Sequence, residues 1–281
     1  MLDKAEYRLG YRPNLAQPQT FNEKLIHRRL FSRDPIFIET SDKITVRDWV
    51  RARVPEDDLS FFPMLGVIQP DEHFDPDSFP RSFALKAAWA SGLNIFCHDG
   101  SVAAAEINEK MTLWRNQPYR IRDFIWAAQH LQRRFIVEEL VVDDNGDPMR
   151  DFRFFMFHGK LGFVVIDQMR AGRKESRALY GPDLKPLDVK NERPMPSEYD
   201  PLPEQIHKMV AVAEKLSSEF DMIRVDLYAK GSKIYFAELT SSHTSGMSPF
   251  EPFDFDFETG KLWNYVARAV EAACDAYHSC D

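Results

Sequence analysis

Residues 151–167, DFRFFMFHGKLGFVVID, restrict the fold more than any other stretch of the chain. Asp151–Phe157 is β-prone and apolar at both odd and even positions. His158-Gly159 can supply a tight turn, and Lys160–Asp167 is a second apolar run. Two such runs about a two-residue turn specify a β-hairpin. Side chains of a strand alternate between faces, so a strand apolar on both must be covered on both. The hairpin therefore predicts a central place in an antiparallel sheet with a layer on each side. His158 is expected at the turn for its conformation, not as a ligand.

A second hairpin carries chemistry. Met222–Thr240, MIRVDLYAKGSKIYFAELT, reads as two strands about Lys230-Gly231-Ser232. With a three-residue loop, Ala229 faces Lys233, Val225 faces Ala237, Leu227 faces Tyr235 and Ile223 faces Leu239, an almost wholly apolar face. The other face takes Arg224, Asp226, Tyr228, Ile234, Phe236, Glu238 and Thr240, with Arg224 across from Glu238 and Asp226 one step along. One reading is a solvated face with a weak cross-strand ion pair. The other is a divalent-cation site, because Mg²⁺ takes oxygen ligands, usually one or two carboxylates completed by substrate phosphates. Phe236 and Ile234 between the polar groups favour the second, since a merely solvated face has little use for them.

A net charge of −8 makes nucleic acid or an anionic membrane an unexpected partner. No apolar run reaches the ~18 residues of a membrane span, and the first residues lack the apolar core of a secretory signal. Cys97, Cys274 and Cys280 have neither metal-site nor disulfide-framework spacing. A cytoplasmic protein is the expectation.

Along the chain, residues 1–19 read as an extended leader. Thr20-Phe-Asn-Glu23 is a capping-box pattern opening a helix with Leu25, Ile26, Leu30 and Phe31 as its stripe. A second helix is expected from Ser41 or Asp42 to Val54, with Ile44, Val46, Trp49 and Val50 inward. Lys43 in its first turn is disfavoured by the helix dipole, so it is either a surface lysine or placed to meet an anion. Residues 55–80 read as irregular connection. Ser82–Trp89 reads as a strand with Lys86 late in it, Ala90–Asn94 as a small-residue turn, and Ile95–Cys97 as the returning strand. A lysine followed by such a loop can cradle phosphate, although no P-loop or GxGxxG pattern is present. Val102–Asn116 is expected as a helix capped by Ser101, with Ala103, Ile107, Met111 and Trp114 as core. Arg133–Val142 reads as a strand ended by a turn at Asp144–Asp147. Residues 168–200, with Arg170, Arg173, Lys174 and Arg177, are expected to form a mobile basic loop or carry solvated loop charge. Pro203 opens an amphipathic helix through Ile206, Met209, Val210, Ala213, Leu216 and Phe220. Ser241–Gly246 is a small polar loop. A last helix is expected over about 257–276, with Leu262, Trp263, Val266 and Val270 inward.

This order of elements resembles the ATP-grasp superfamily, and within it the TupA-like ATP-grasp family, named for a teichuronopeptide-biosynthesis protein. The matching stretches are Thr20–Leu25, Asp42–Val50, Ala84–Phe96, Phe135–Val141, Asp151–Lys160 and the Met222–Thr240 hairpin. The resemblance implies an α+β ATP-grasp fold, two α+β lobes with antiparallel sheets sandwiching ATP. It implies residues 1–60 as a short helical segment replacing a full substrate lobe, 61–134 as the small lobe and 135–281 as the large lobe. Lys43 and Lys86 match phosphate-contacting lysines, and Ser91, Gly92 and Asn94 the phosphate loop. Glu138, Glu139, Leu140 and Val141 match the adenine hinge, and Asp151 the carboxylate near ribose. Asp226, Glu238 and Thr240 match the Mg²⁺ ligands, and Arg224 the arginine beside the transferred phosphoryl group. Lys86 and Arg224 would be the catalytic residues. Ala88, Trp89, Ala90 and Leu93 depart from the Gly-rich, often His-bearing loop of relatives. The acceptor site would then come from the Arg170–Arg177 region, the Ser241–Gly246 loop or a partner.

The implied activity is an ATP- and Mg²⁺-dependent carboxylate–amine ligase acting through an acyl phosphate. Its substrates would be a small-molecule or glycan carboxylate and an amine, in cell-envelope polysaccharide or peptide-polymer biosynthesis. Two other readings are a metal-dependent sugar-nucleotide glycosyltransferase using Asp254-Phe-Asp256 as a DxD-like motif, and a non-catalytic nucleotide-binding module. The plain account of Asp254 and Asp256 is an acidic helix start.

Overall fold

A computed structural model of the chain describes residues 1–117, 126–143, 149–168 and 175–266. The expected turn at 144–147, Arg170, Arg173, Lys174, Val270, Cys274 and Cys280 lie outside the described residues. The chain divides into two compact units, one from 1–33, 150–228 and 239–281, the other from 34–149 and 229–238.

In the first unit, helix α1 (Leu2–Leu9) stands where an extended leader is expected. Its apolar side, Ala5 and Leu9, packs with Ile26 and Met247. Helix α2 (Phe21–Phe31) starts as the sequence specifies: the Thr20 side chain accepts from the Glu23 N–H, and the Glu23 carboxylate accepts from the Thr20 N–H. The Phe-rich hairpin is β5 (Asp151–Phe157) and β6 (Lys160–Gln168). His158 and Gly159 between them both have positive φ, 49° and 75°, the conformation a two-residue hairpin turn needs. Phe152, Phe154, Phe155, Met156 and Phe157 are all buried, so the strand is covered on both faces. Phe21 of α2 packs against Phe155, Phe157 and Phe163 on one face. Helix α6 (Ile206–Ser217) buries Met209, Val212, Ala213 and Leu216 and lies on β5 and β6. The large sheet has the order β10-β9-β5-β6-β7, where β7 is Ser176–Tyr180, β9 Met222–Lys230 and β10 Lys233–Thr240.

Three expectations for this unit are corrected. Part of the supposed basic loop is β7, followed by a short β8 (Lys190–Asn191) paired with β11 (Phe250–Glu251). The second hairpin leaves only Gly231-Ser232 between its strands. Among the described residues the last helix is α7 (Asp254–Leu262), which starts earlier than expected and ends before Trp263; Trp263 is fully buried, while Leu262 and Val266 are exposed.

The second unit holds the small sheet, ordered β1-β4-β2-β3, from β1 (Met64–Ile68), β2 (Phe83–Ala87), β3 (Asn94–Cys97) and β4 (Phe135–Glu139), all antiparallel. β1 lies inside the stretch expected to be irregular; its register shifts between Met64 and Gly66, which hides the alternation. Helix α5 (Ala104–Asn116) covers the sheet with Ile107 and Met111. Ser101 does not cap it; its hydroxyl accepts from the His98 N–H. The expected second helix is two short ones, α3 (Ile36–Ser41) and α4 (Thr45–Arg51). Asp42 separates them by accepting from the Ile44 and Thr45 N–H groups, so Lys43 lies in the connection and not in a first turn. No helix among the described residues is long and apolar enough to cross a membrane.

Candidate active site

In the second unit, Lys43 is tied to the loop after β2. The Lys43 N–H donates to the Ala88 carbonyl at 3.0 Å. Its ammonium donates to the Ala87 and Ala90 carbonyls at 3.1 and 2.5 Å. Burial pushes the Lys43 pKa down, against the carboxylates of Glu238, Glu138 and Asp42, and the nearby Lys86 adds to the depression. Trp89 is buried edge-on to Phe135 and anchors the loop in the core. Ser91 and Gly92 form an exposed tip, where Gly92 has a φ of 76° and open space around it. On β3 the Asn94 Oδ1 is buried without a hydrogen-bond partner.

Lys86 points its ammonium at Glu138 Oε2, 2.7 Å away. The strand register places Ala84 opposite Glu138 and Lys86 opposite Ile136, so the two groups are diagonal neighbours on one face. Arg47 of α4 takes the other oxygen of Glu138 and also donates to the Phe62 carbonyl. Glu138, expected near adenine, is thus a buried carboxylate between two cations. Glu139 ends β4 exposed, with Leu140 and Val141 half-buried after it, and the Val142 carbonyl accepts from Lys230 at 2.6 Å. Tyr235 stacks on Phe62 and Phe236 packs against Phe61.

In the first unit, one face of the large sheet changes character along its strands. One end is the apolar cluster around Phe21. The other carries Asp151, Arg153, Asp167, Arg177, Arg224 and Asp226. Arg224 and Asp226 are both buried and joined by two hydrogen bonds of 2.6 and 2.5 Å. The third arm of Arg224 reaches His243 Nδ1 at 2.6 Å. That nitrogen must accept, so the imidazole is neutral. Burial, then the Arg224 charge, hold its pKa well below the ordinary value. Arg153 stands across from Asp226 and binds Asp151 and Asp167 at 2.8 and 2.9 Å. Burial opposes its charge, but the three carboxylates outweigh burial and raise its pKa. Arg177, expected in a mobile loop, is buried and clamps Asp167 at 2.6 and 3.1 Å. Burial alone would raise the Asp167 pKa, but Arg177, Arg153 and Arg193 hold it below the usual carboxylate range.

Among the described residues, no three or more His, Cys, Asp and Glu gather as a self-sufficient metal cage. Mg²⁺ bound with a polyphosphate needs no cage, only one or two carboxylates. Asp226, Glu238 and Thr240 each carry a hard oxygen donor of the kind Mg²⁺ takes. The donor set therefore fits the ion.

The DxD-like segment is different. Asp256 is buried and accepts from the Asn22 N–H, the Asn22 amide and the Tyr11 hydroxyl. It ties α7 to α2, and Asp254 opens α7, as the helix-start account expects.

A model of the family described as TupA-like ATPgrasp matches residues 23–264. The chain belongs to this family. No curated protein matches the sequence. Among solved structures, the ATP-grasp ligase PsnB complexed with minimal precursor is similar at 11% identity and a TM-score of 0.44, over 87% of this chain and 63% of that one. D-alanine–D-alanine ligase from Bacillus anthracis is similar at 14% identity and a TM-score of 0.43, over 85% of this chain and 68% of that one. The chain spans about three-fifths of the PsnB chains it matches. The α+β composition with antiparallel sheets is that expected of an ATP-grasp protein.

Sequence reasoning placed Arg224 and Asp226 on one strand face, and Lys86 late in a strand before a small-residue loop; that Lys43 is held on this loop it did not show. It missed Arg47, Arg153, Asp167 and His243. Asp151-Phe-Arg153 alternates charge on one face and could have flagged Arg153. Arg47 and His243 left no local signal, because their partners are 91 and 19 residues away.

Proposed function

We propose that this chain is an ATP- and Mg²⁺-dependent ligase joining a carboxylate to an amine through an acyl phosphate. The observation that carries the reading is the Lys43 ammonium seated on the loop after β2 with the Lys86 charge near it, in a member of an ATP-grasp family. Bringing two ammonium groups close in a largely buried setting is costly. A polyphosphate anion is the ligand that would use them, with the loop N–H groups and Asn94 completing the cradle. Ser91, Gly92 and Asn94 would hold phosphate, the backbone of Glu138 to Val141 would border adenine, and Asp151 would face ribose. Asp226, Glu238 and Thr240 would hold Mg²⁺, which supplies charge neutralisation at the transferring phosphoryl group.

The chain's own groups have definable roles. The attacking carboxylate and the γ-phosphate are both anionic, so their approach needs fixed positive charge. Arg224, pinned by Asp226 and His243, would present that charge without reorganising. Lys86 would neutralise the phosphate side. The amine then displaces phosphate from the acyl phosphate, giving an amide, ADP and phosphate. Family kinship favours a glycan or peptide-polymer carboxylate of the cell envelope, modified on the cytoplasmic side where ATP is supplied.

The test is ADP release across a panel of uronic acids, amino acids and their polymers, with amines, Mg²⁺ and wild type, Lys86→Met or Asp226→Asn. Amide product equal to ADP in the wild type, and lost in both variants, supports the ligase. Turnover of sugar nucleotides instead, surviving Asp226→Asn, overturns it.

A further inference from the structure

Lys86 is the lysine that the proposed function places on phosphate, and the following inference rests on that reading. A lysine paired with a buried carboxylate at 2.7 Å forms a neutral couple, which is a poor anion receptor. The structure holds a third member. Arg47 is buried on α4, and its guanidinium takes Glu138 Oε1 while Lys86 takes Oε2. Arg47 is itself fixed: it donates to the Phe62 carbonyl at 3.0 Å and lies 5.3 Å from the Phe61 ring centre. Glu138 is thus shared between an arginine whose side chain is 7% exposed and a lysine whose side chain is 20% exposed. The triad carries two positive charges and one negative. Of the two cations Lys86 is the more exposed, and its ion pair with Glu138 uses one of its three N–H donors.

We propose that Arg47 is a positioning residue for the nucleotide phosphates: it takes up the charge of Glu138, so that Glu138 aims the Lys86 ammonium without neutralising it. Glu138 acts as a splint between helix α4 and strand β2, and Arg47 sets the charge that Lys86 shows to an anion. The geometry alone carries this. Arginine suits the inner position because it stays protonated when buried and satisfies a carboxylate and a carbonyl at once. Lysine suits the outer one because its ammonium is compact and turns freely between Glu138 and a phosphate oxygen.

Calorimetry of the full chain with tripolyphosphate, and separately with a non-hydrolysable ATP analogue, tests the proposal. In Arg47→Met the carboxylate keeps Lys86 as its partner, so no buried charge is orphaned, and thermal unfolding reports whether the fold is retained. Loss of one unit charge from the triad is expected to weaken both ligands on the order of tenfold. Arg47→Lys, which keeps the charge but not the fork, is expected within about threefold of wild type. The double variant Arg47→Met/Glu138→Gln is expected to recover most of the affinity, because the carboxylate charge that Arg47 offsets is removed with it. That recovery separates an action through Glu138 from simple packing, and it applies even if the single variant folds poorly.

Equal affinity in wild type and Arg47→Met overturns the proposal, as does a double variant no better than Arg47→Met. Absence of tripolyphosphate binding by the wild type also overturns it. An ATP analogue bound no better than tripolyphosphate, with the Arg47 pattern intact, leaves this inference standing and removes the nucleotide reading. Tight analogue binding that ignores Arg47 does the reverse.

Discussion

His243 ties the stability of the first unit to pH in a way that can be worked out in advance. Its imidazole is buried, stands edge-on to Phe155 with ring centres 5.0 Å apart, and accepts from Arg224 through Nδ1. The cations facing it are Arg224, Arg153 and Arg177. A proton on Nδ1 would destroy the hydrogen bond and place a second cation against Arg224. The folded chain therefore keeps His243 neutral, while the unfolded chain titrates near 6.5. The unfolded state binds more protons below that value, so stability is full above it and lost as pH falls toward the depressed native value. From pH 7.5 to 5.5 the unfolded imidazole goes from about one-tenth to about nine-tenths protonated. Integrating the linkage over that interval, with the native imidazole neutral throughout, gives a loss of about 1.4 kcal/mol from this residue. The assay is urea unfolding by tryptophan fluorescence at both pH values, for wild type and His243→Gln. Glutamine can still accept from Arg224 but does not titrate. The variant should lose about 1.4 kcal/mol less than wild type over the interval, and other ionisations, including the raised carboxyl of Asp256, cancel in the comparison. Parallel losses in the two proteins would refute the buried neutral imidazole.

Other perturbations have equally definite outcomes. Thr20→Ala removes the α2 cap and should lower unfolding free energy by about 1 kcal/mol, read by urea titration. Gly246→Ala adds a methyl 2.7 Å from the Asn22 carbonyl oxygen, at a φ of 69°. It should cost about 2–4 kcal/mol and lower the thermal midpoint by several degrees. Arg224→Met leaves Asp226 buried without its two-armed partner and should cost about 3–5 kcal/mol; adding Asp226→Asn should return part of that in the same titration.

Local chemistry made much of this legible, and long-range pairing hid the rest. The Asp151–Asp167 hairpin announces itself because its turn residues and its doubly apolar strand agree. The α2 start is written in Thr20 and Glu23. Arg224 and Asp226 share a face because strands have period two, whatever the hairpin register. By contrast, α1 is a short helix held by Ala5 and Leu9 against Ile26 and Met247, contacts that no window around residues 2–9 contains. The β7 strand was concealed by Arg177: a charge in a turn-rich region suggests solvent, whereas Asp167 on the neighbouring strand lets it be buried. The loop length of the second hairpin was not legible, because Gly231-Ser232 alone can close the turn and Lys230 then belongs to the strand.

The central proposal is that the chain binds ATP with Mg²⁺, with Glu238 as one of the metal's ligands. Calorimetry of a non-hydrolysable ATP analogue, with and without Mg²⁺, on wild type and Glu238→Ala, tests it most directly. The account predicts binding that Mg²⁺ strengthens, with most of that gain lost in Glu238→Ala. A wild type that ignores the analogue but binds a sugar nucleotide, or binding indifferent to both Mg²⁺ and Glu238, would contradict it.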